Sequence, residues 1–286
     1  SGHATSVGRL FYGNTSSMTP GISSVSCYEA SSFSMYGYLM TFTSMQPMQS
    51  SSRVANHSWV SNMAPVYSAE MLRRLDWLIQ RDEFTQVVAL SNGSGSELMS
   101  EAMNSVAVGQ TGGDSSSGTE AVDDIYTAGR TRADLVAPKG SPSAATPVVS
   151  SAAALLIQAG SDQSLSTDPV EPYTTNRMGE TIFNAQRSEV IKAVLMAGAD
   201  RFTRNTSLEG DVLNFRGNAT VQTDNGLDAR FGAGQVNVCN SFHIMRIPVI
   251  FTIEFYCPNW TNPTRLFHLF KYFLVIHCAC PFNCFS

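Results

Sequence analysis

Ser143 stands in Ser141-Pro142-Ser143-Ala144-Ala145-Thr146-Pro147, between a short apolar strand, Asp134-Leu135-Val136-Ala137-Pro138, and a small-residue helix running to Gln158. The Thr146-Pro147 pair marks the expected helix start, because proline in a first turn loses no hydrogen bond and its φ already suits a helix. A serine just ahead of that start meets unpaired backbone N–H groups and the positive end of the helix dipole. Such ground suits a nucleophile whose reaction develops an oxyanion. It also suits a helix cap, the commoner use of serine there. The nucleophile reading therefore needs partners from elsewhere in the chain.

The elements that would position those partners follow from the hydrophobic pattern. Val7, Leu10 and Phe11, following His3, fit a short buried helix. A lone histidine near a helix start is more often structural than catalytic. Residues 23–52 are rich in Ser, Met and Tyr, with one strand expected at Tyr36–Phe42. Arg53–Val60 reads as a buried strand. Ser68 opens a helix whose Met71, Leu75, Leu78 and Ile79 recur at helical spacing. Gln86–Leu90 is a strand ending in Ser91-Asn92-Gly93-Ser94-Gly95, followed by a helical stretch at Glu97–Met103 and a strand at Ser105–Val108. A Gly/Ser/Thr-rich loop covers 109–131, and a polar loop covers 160–184. A helix is expected at Gln186–Ala197, and a glycine turn at Gly232–Gly234 leads into a further strand or helix.

Alternating strands and helices predict an α/β fold, a doubly wound, mostly parallel sheet with helices on both faces. Functional loops of such sheets lie at the carboxyl ends of the strands. Asn92 and Ser143 each follow a strand, so both fall on that one edge.

The 286 residues are 43% apolar and 14% charged, with net charge −5. That is enough chain to bury a sizeable core. No basic patch points to nucleic acid and no charge run forms an acidic tail. The high Ser, Thr and Asn content fits an extracytoplasmic enzyme. Of six cysteines, Cys27 and Cys239 form a possible pair that spacing alone does not join, and four crowd the last thirty residues.

Taken together, the motifs resemble the subtilisin-type serine peptidases. His3-Ala4-Thr5-Ser6-Val7 resembles that family's His-Gly-Thr-His-Val segment, whose first His is the general base. Leu90-Ser91-Asn92-Gly93-Ser94-Gly95 resembles its Ala-Gly-Asn-x-Gly turn, whose Asn donates to the oxyanion. Ser141–Pro147 resembles Gly-Thr-Ser-x-Ala-x-Pro, whose Ser is the nucleophile. Ala55-Asn56-His57-Ser58-Trp59 resembles the strand that carries the family's substrate-binding Ser, here Ser58. Asp134–Pro138 matches the strand before the nucleophile, and Phe231-Gly232-Ala233-Gly234 resembles a closing Tyr-Gly-x-Gly. The resemblance implies an endopeptidase acting on protein or peptide substrates through an acyl-enzyme, with His3, Ser143 and Asn92 catalytic and Ser58 binding substrate. No cofactor is implied. Calcium is frequent in the family, but no acidic cluster here identifies a site.

Three departures qualify that expectation. The family's triad Asp lies on a strand well before the His, whereas only Ser1 and Gly2 precede His3. The chain is therefore expected to be an N-terminally truncated fragment lacking the first strands of the sheet. Loss of the correct imidazole orientation costs about 10⁴ in kcat in a serine peptidase built on the triad, so activity should be weak or absent. Ser141 and Pro142 replace a Gly-Thr pair before the nucleophile, and Ala4 and Ser6 replace Gly and His after the base. A non-catalytic module on the same fold is the alternative. An α/β-hydrolase esterase is disfavoured because no G-x-S-x-G elbow occurs in the right context.

The peptidase-like domain is expected to span 1–244. Residues 245–286 form an aberrant apolar Cys/Phe-rich tail, not a domain. Its run Leu266–Cys280 falls short of the about twenty residues a membrane span needs. Zinc binding by Cys257, His277, Cys278, Cys280 and Cys284 is disfavoured because their spacing matches no C-x-x-C pair pattern. Sequons at Asn56 and Asn92 fall on elements the fold would bury or use, so chance explains them better than glycosylation.

Overall fold

The computed structural model describes residues 2–60, 64–92, 99–113, 118–130, 132–166, 168, 170–201, 223 and 226–246. The chain divides into two units, Ser1–Pro248 and Val249–Ser286. The second, with the candidate zinc ligands, lies outside the described residues; of the tail expected at 245–286 only Met245 and Arg246 are described, and Met245 ends the last described helix with its side chain buried.

In chain order the elements are α1 (Gly2–Tyr12), α2 (Ala30–Ser32, running into a π-helical turn at Phe33–Gly37), β1 (Val54–His57), α3 (Pro65–Asp82), β2 (Thr85–Ala89), β3 (Val106–Gln110), β4 (Leu135–Ala137) and α4 (Pro142–Ala159). A hairpin of β5 (Tyr173–Thr175) and β6 (Thr181–Phe183) follows, then α5 (Ser188–Ala197) and α6 (Val238–Met245). β1 to β4 form one sheet in the order β1-β2-β3-β4, every pair parallel. Among the described residues no strand pairs with the outer side of β1. On the other edge, Gln235 bridges to Val136 in a parallel sense, with Val136 N–H donating to Gly234 O at 2.9 Å.

Alternation along the strands divides the core. Val87, Val106, Val108, Leu135 and Ala137 face α4, α5 and α6, whereas Val88 faces α3. Both faces are thus covered, as a parallel sheet requires. α3 buries Met71, Leu72, Leu75, Leu78 and Ile79 on its face. α4 is dominated by small residues on its buried side, Ala145, Ala152 and Ala153 with Val149 and Leu156, which lets its axis lie close to β1, β2 and β3. Glu83, in the left-handed region at φ 53°, ends α3. Its carboxylate then accepts the Ser188 N–H at 2.7 Å and so caps α5. Gly232 also has positive φ, 61°, and a Cβ there would lie 2.3 Å from Asp134 O, so the turn beside β4 requires glycine.

Several expectations are corrected. The strand expected at Tyr36–Phe42 does not form: the π-turn ends at Gly37, and Met40 and Phe42 lie in the left-handed region at φ 56° and 69°. Phe33 stacks on Tyr38 at 4.9 Å and packs on His57 at 4.7 Å, so side-chain burial rather than a ladder sets the backbone. α3 starts at Pro65, ahead of Ser68. α4 starts at Pro142, and Pro147 lies inside it. Only a 3₁₀ turn at Met99–Glu101 represents the helix expected at Glu97–Met103, and 93–98 lie outside the described residues. The polar stretch 160–184 holds the β5–β6 hairpin. α1 exists, but Gly8 is its one buried residue and His3 is exposed. Cys27 and Cys239 are both exposed and free.

Candidate active site

The carboxyl ends of β1, β2 and β4 share one edge of the sheet, and the residues of interest gather there. Ser58 follows β1 directly, Asn92 lies three residues beyond β2, and Ser143 is the second residue of α4. α1 packs on α4 and is tied to it by Ser151, whose hydroxyl donates to Phe11 O at 2.6 Å. This packing brings His3, in the first turn of α1, to the first turn of α4.

His3 Nε2 lies 3.1 Å from the carbonyl oxygen of Ser58, and Ser143 Oγ lies 3.5 Å from the same atom. A carbonyl only accepts, so the hydrogen bond from His3 requires the proton on Nε2. An imidazole in that state cannot take the Ser143 proton at Nε2. A base role through Nε2 requires the ring to leave Ser58 O with its proton on Nδ1. Among the described residues no carboxylate bonds to the ring to hold that tautomer. Asn92 is exposed at the strand end, and among the described residues it makes no hydrogen bond to His3, Ser58 or Ser143.

Ser143 does not cap α4. Ser141 is the cap, with φ −159° and ψ 154°, and its hydroxyl accepts the Ala144 N–H at 3.3 Å. That extended backbone is open to any residue, so serine is accommodated there without strain. Ser143 is left half-buried within the first turn, where helix N–H groups lack intrahelical partners.

The Ser143 carbonyl would ordinarily accept the N–H of residue 147. That residue is Pro147, which has no N–H and whose ring crowds the carbonyl four residues back. The Ser58 hydroxyl supplies the missing donor at 2.8 Å. Ser58 Oγ in turn accepts from Asn56 Nδ2 at 3.0 Å, and Asn56 Oδ1 accepts from the Ser150 hydroxyl at 3.0 Å. The sequence reading gives neither Asn56 nor Ser150 a role in the site. The i to i+4 relation of Ser143 to Pro147 was the signal that could have pointed toward them.

His57 sits beside Ser58 in sequence but faces the other side of the sheet, among Phe33 and Trp59. Gln86 donates from Nε2 to Phe84 O at 3.1 Å, which leaves Gln86 Oε1 to accept from His57 Nε2 at 2.8 Å. Burial lowers the His57 pKa to about 4, so the ring is neutral at pH 7. It is a core histidine with no path to Ser143.

Among the described residues no group of three or more His, Cys, Asp or Glu side chains could hold a metal ion, and no helix is long and apolar enough to cross a membrane. An open groove of about 550 Å³, lined by Gln163, Ser166, Pro172, Tyr173, Thr181 and Phe183, shares no residue with the Ser143 site.

No protein-family model and no curated protein matches this chain. Solved structures do. The patellamide maturation protease PatA is similar at 17% identity and a TM-score of 0.41, over 68% of this chain and 64% of that one. The prenylagaramide maturation protease PagA is similar at 15% identity and a TM-score of 0.47, over 86% and 83%. Both likenesses are distant, and the α/β assignment rests on the parallel sheet itself.

Proposed function

We propose that the chain is a serine-type endopeptidase of the subtilisin kind, acting on protein or peptide substrates outside the cytoplasm. The observation that carries this reading is the convergence of His3 and Ser143 on one carbonyl oxygen at the carboxyl edge of a parallel sheet. In the reaction Ser143 Oγ attacks the peptide carbonyl carbon as its proton passes to His3. The resulting oxyanion is held by the Ser143 N–H and the Asn92 amide. His3 then gives the proton to the departing amine, and water hydrolyses the acyl-enzyme by the same route. With no carboxylate among the described residues to set the tautomer of His3, turnover is slow on this reading.

A second reading, a non-catalytic module on the same fold, is favoured by one observation. The Ser58 carbonyl holds both reactive groups, so they do not bond to each other. A fluorophosphonate probe separates the two. The enzyme reading expects covalent labelling that Ser143→Ala abolishes and His3→Ala slows. A chain that never labels is the module, and labelling that survives Ser143→Ala moves the nucleophile elsewhere.

A further inference from the structure

Ser58 is held from one side and grips from the other. Its hydroxyl donates to Ser143 O, and its carbonyl receives His3 Nε2 and Ser143 Oγ. Behind it, donors run in a single direction: Ser150 Oγ–H to Asn56 Oδ1, Asn56 Nδ2–H to Ser58 Oγ, Ser58 Oγ–H to Ser143 O. Ser143 O can only accept, so the one Ser58 proton goes there and Asn56 must donate to Ser58 Oγ. That turns Asn56 Oδ1 toward Ser150, whose own proton is shared between that oxygen and Thr146 O, both at 3.0 Å. Asn56 bridges the gap by accepting through Oδ1 and donating through Nδ2. Ser150 is fully buried and Ser58 is 9% exposed, which shields the chain from competing water.

We propose that Asn56 and Ser150 are positioning residues for Ser143 and His3, acting through Ser58. The proposal rests on the serine-peptidase reading for its catalytic meaning, although the geometry it asserts does not. If Asn56 fails to donate, the Ser58 hydroxyl is free to rotate and the Ser143 carbonyl, already deprived of a partner by Pro147, loses its second one. The first turn of α4 then relaxes, and the Ser58 carbonyl no longer presents one fixed oxygen to the imidazole. Ser58 is on this view a latch between β1 and α4, with its hydroxyl engaged inside the protein.

Two variants test this without gross change of volume: Asn56→Asp, which replaces the donor by an acceptor, and Ser150→Ala, which removes the far end of the chain. Fluorophosphonate labelling should slow roughly 10- to 100-fold in Asn56→Asp, since displacement of about 1 Å at a reacting group costs that much. Ser150→Ala should slow it less, Ser58→Ala should slow it as much as Ser58→Ala combined with Asn56→Asp, and Ser58→Thr should restore it. The His3 ring ¹⁵N shifts provide a readout independent of activity. They should report the Nε2-protonated form in the parent chain and a mixture of tautomers in Asn56→Asp. A parent that never labels overturns the peptidase reading alone, and the nitrogen shifts still decide the positioning. Unchanged shifts in Asn56→Asp, or labelling effects of Asn56→Asp and Ser58→Ala that multiply, overturn the positioning role.

Discussion

His3 and Ser143 meet at the Ser58 carbonyl oxygen, at 3.1 and 3.5 Å, and not at each other. The proposed base and the proposed nucleophile are neighbours held in a resting arrangement. Moving from rest to reaction needs a ring rotation and a change of tautomer, both within reach of an exposed residue in the first turn of α1.

The resting arrangement predicts how the base can be supplied from outside. His3→Ala should label with fluorophosphonate more slowly than the parent, and added imidazole should recover part of the lost rate while leaving Ser143→Ala unlabelled. Recovery that is absent at high imidazole places the base elsewhere.

Acid should destabilise the chain through His57. Folded, its ring stays neutral down to about 4, whereas the unfolded ring takes a proton near 6.5. Between those values only the unfolded state gains the proton, so stability is intact above pH 6.5 and falls as pH drops toward 4. The loss reaches roughly 3 kcal/mol. Urea unfolding of the parent and of His57→Gln at pH 7 and pH 4.5 isolates the effect, because carboxylates contribute to both. A parent and variant that lose equal stability would refute it.

Ser141 should matter as a cap, not as a reacting group. Ser141→Ala is expected to cost about 1 kcal/mol in denaturant unfolding, and Ser141→Gly a few tenths. A larger loss of labelling than of stability would assign Ser141 to the chemistry instead.

Arg177 joins the β5–β6 hairpin to α3 and should be among the costliest residues to lose. Its Nη2 pairs with Asp82 at 2.6 Å, both side chains nearly buried, and its guanidinium lies 4.7 Å from the Trp77 ring centre. Arg177→Met leaves a buried carboxylate unpaired, at a cost of about 3–5 kcal/mol. Adding Asp82→Asn should return part of it. Additive losses in the double variant would argue against the pair.

The outer side of β1 has no partner strand among the described residues, and an unpaired edge invites association. The chain is expected to give low soluble yield and concentration-dependent size in sedimentation. A monomer unchanged across concentration would contradict that.

Sequence pattern alone was sufficient for the sheet. Runs such as Gln86-Val87-Val88-Ala89 are apolar on both faces because helices cover both, and that signal survives without tertiary information. The same pattern placed Asn92 and Ser143 on one edge. It misplaced the start of α4 because two prolines, Pro142 and Pro147, both carry the mark of a first turn, and only geometry distinguishes them. It misread Tyr36–Phe42, where aromatic packing around His57 overrides strand propensity. The hairpin at 173–183 escaped notice because much of its surface is polar and exposed, and Arg177 is anchored to residues far away in sequence. The Asn56–Ser58–Ser150 chain was hidden for the same reason, since it spans 94 positions.

Pro147 leaves the turn that carries Ser143 one bond short, and β1 provides that bond from 85 positions earlier in the chain. A newly made polypeptide can therefore wind this helix without yet owning a finished nucleophile. On the peptidase reading, reactivity becomes a property of assembly: the hydroxyl proposed to cut other chains is fully seated only after its own chain has closed.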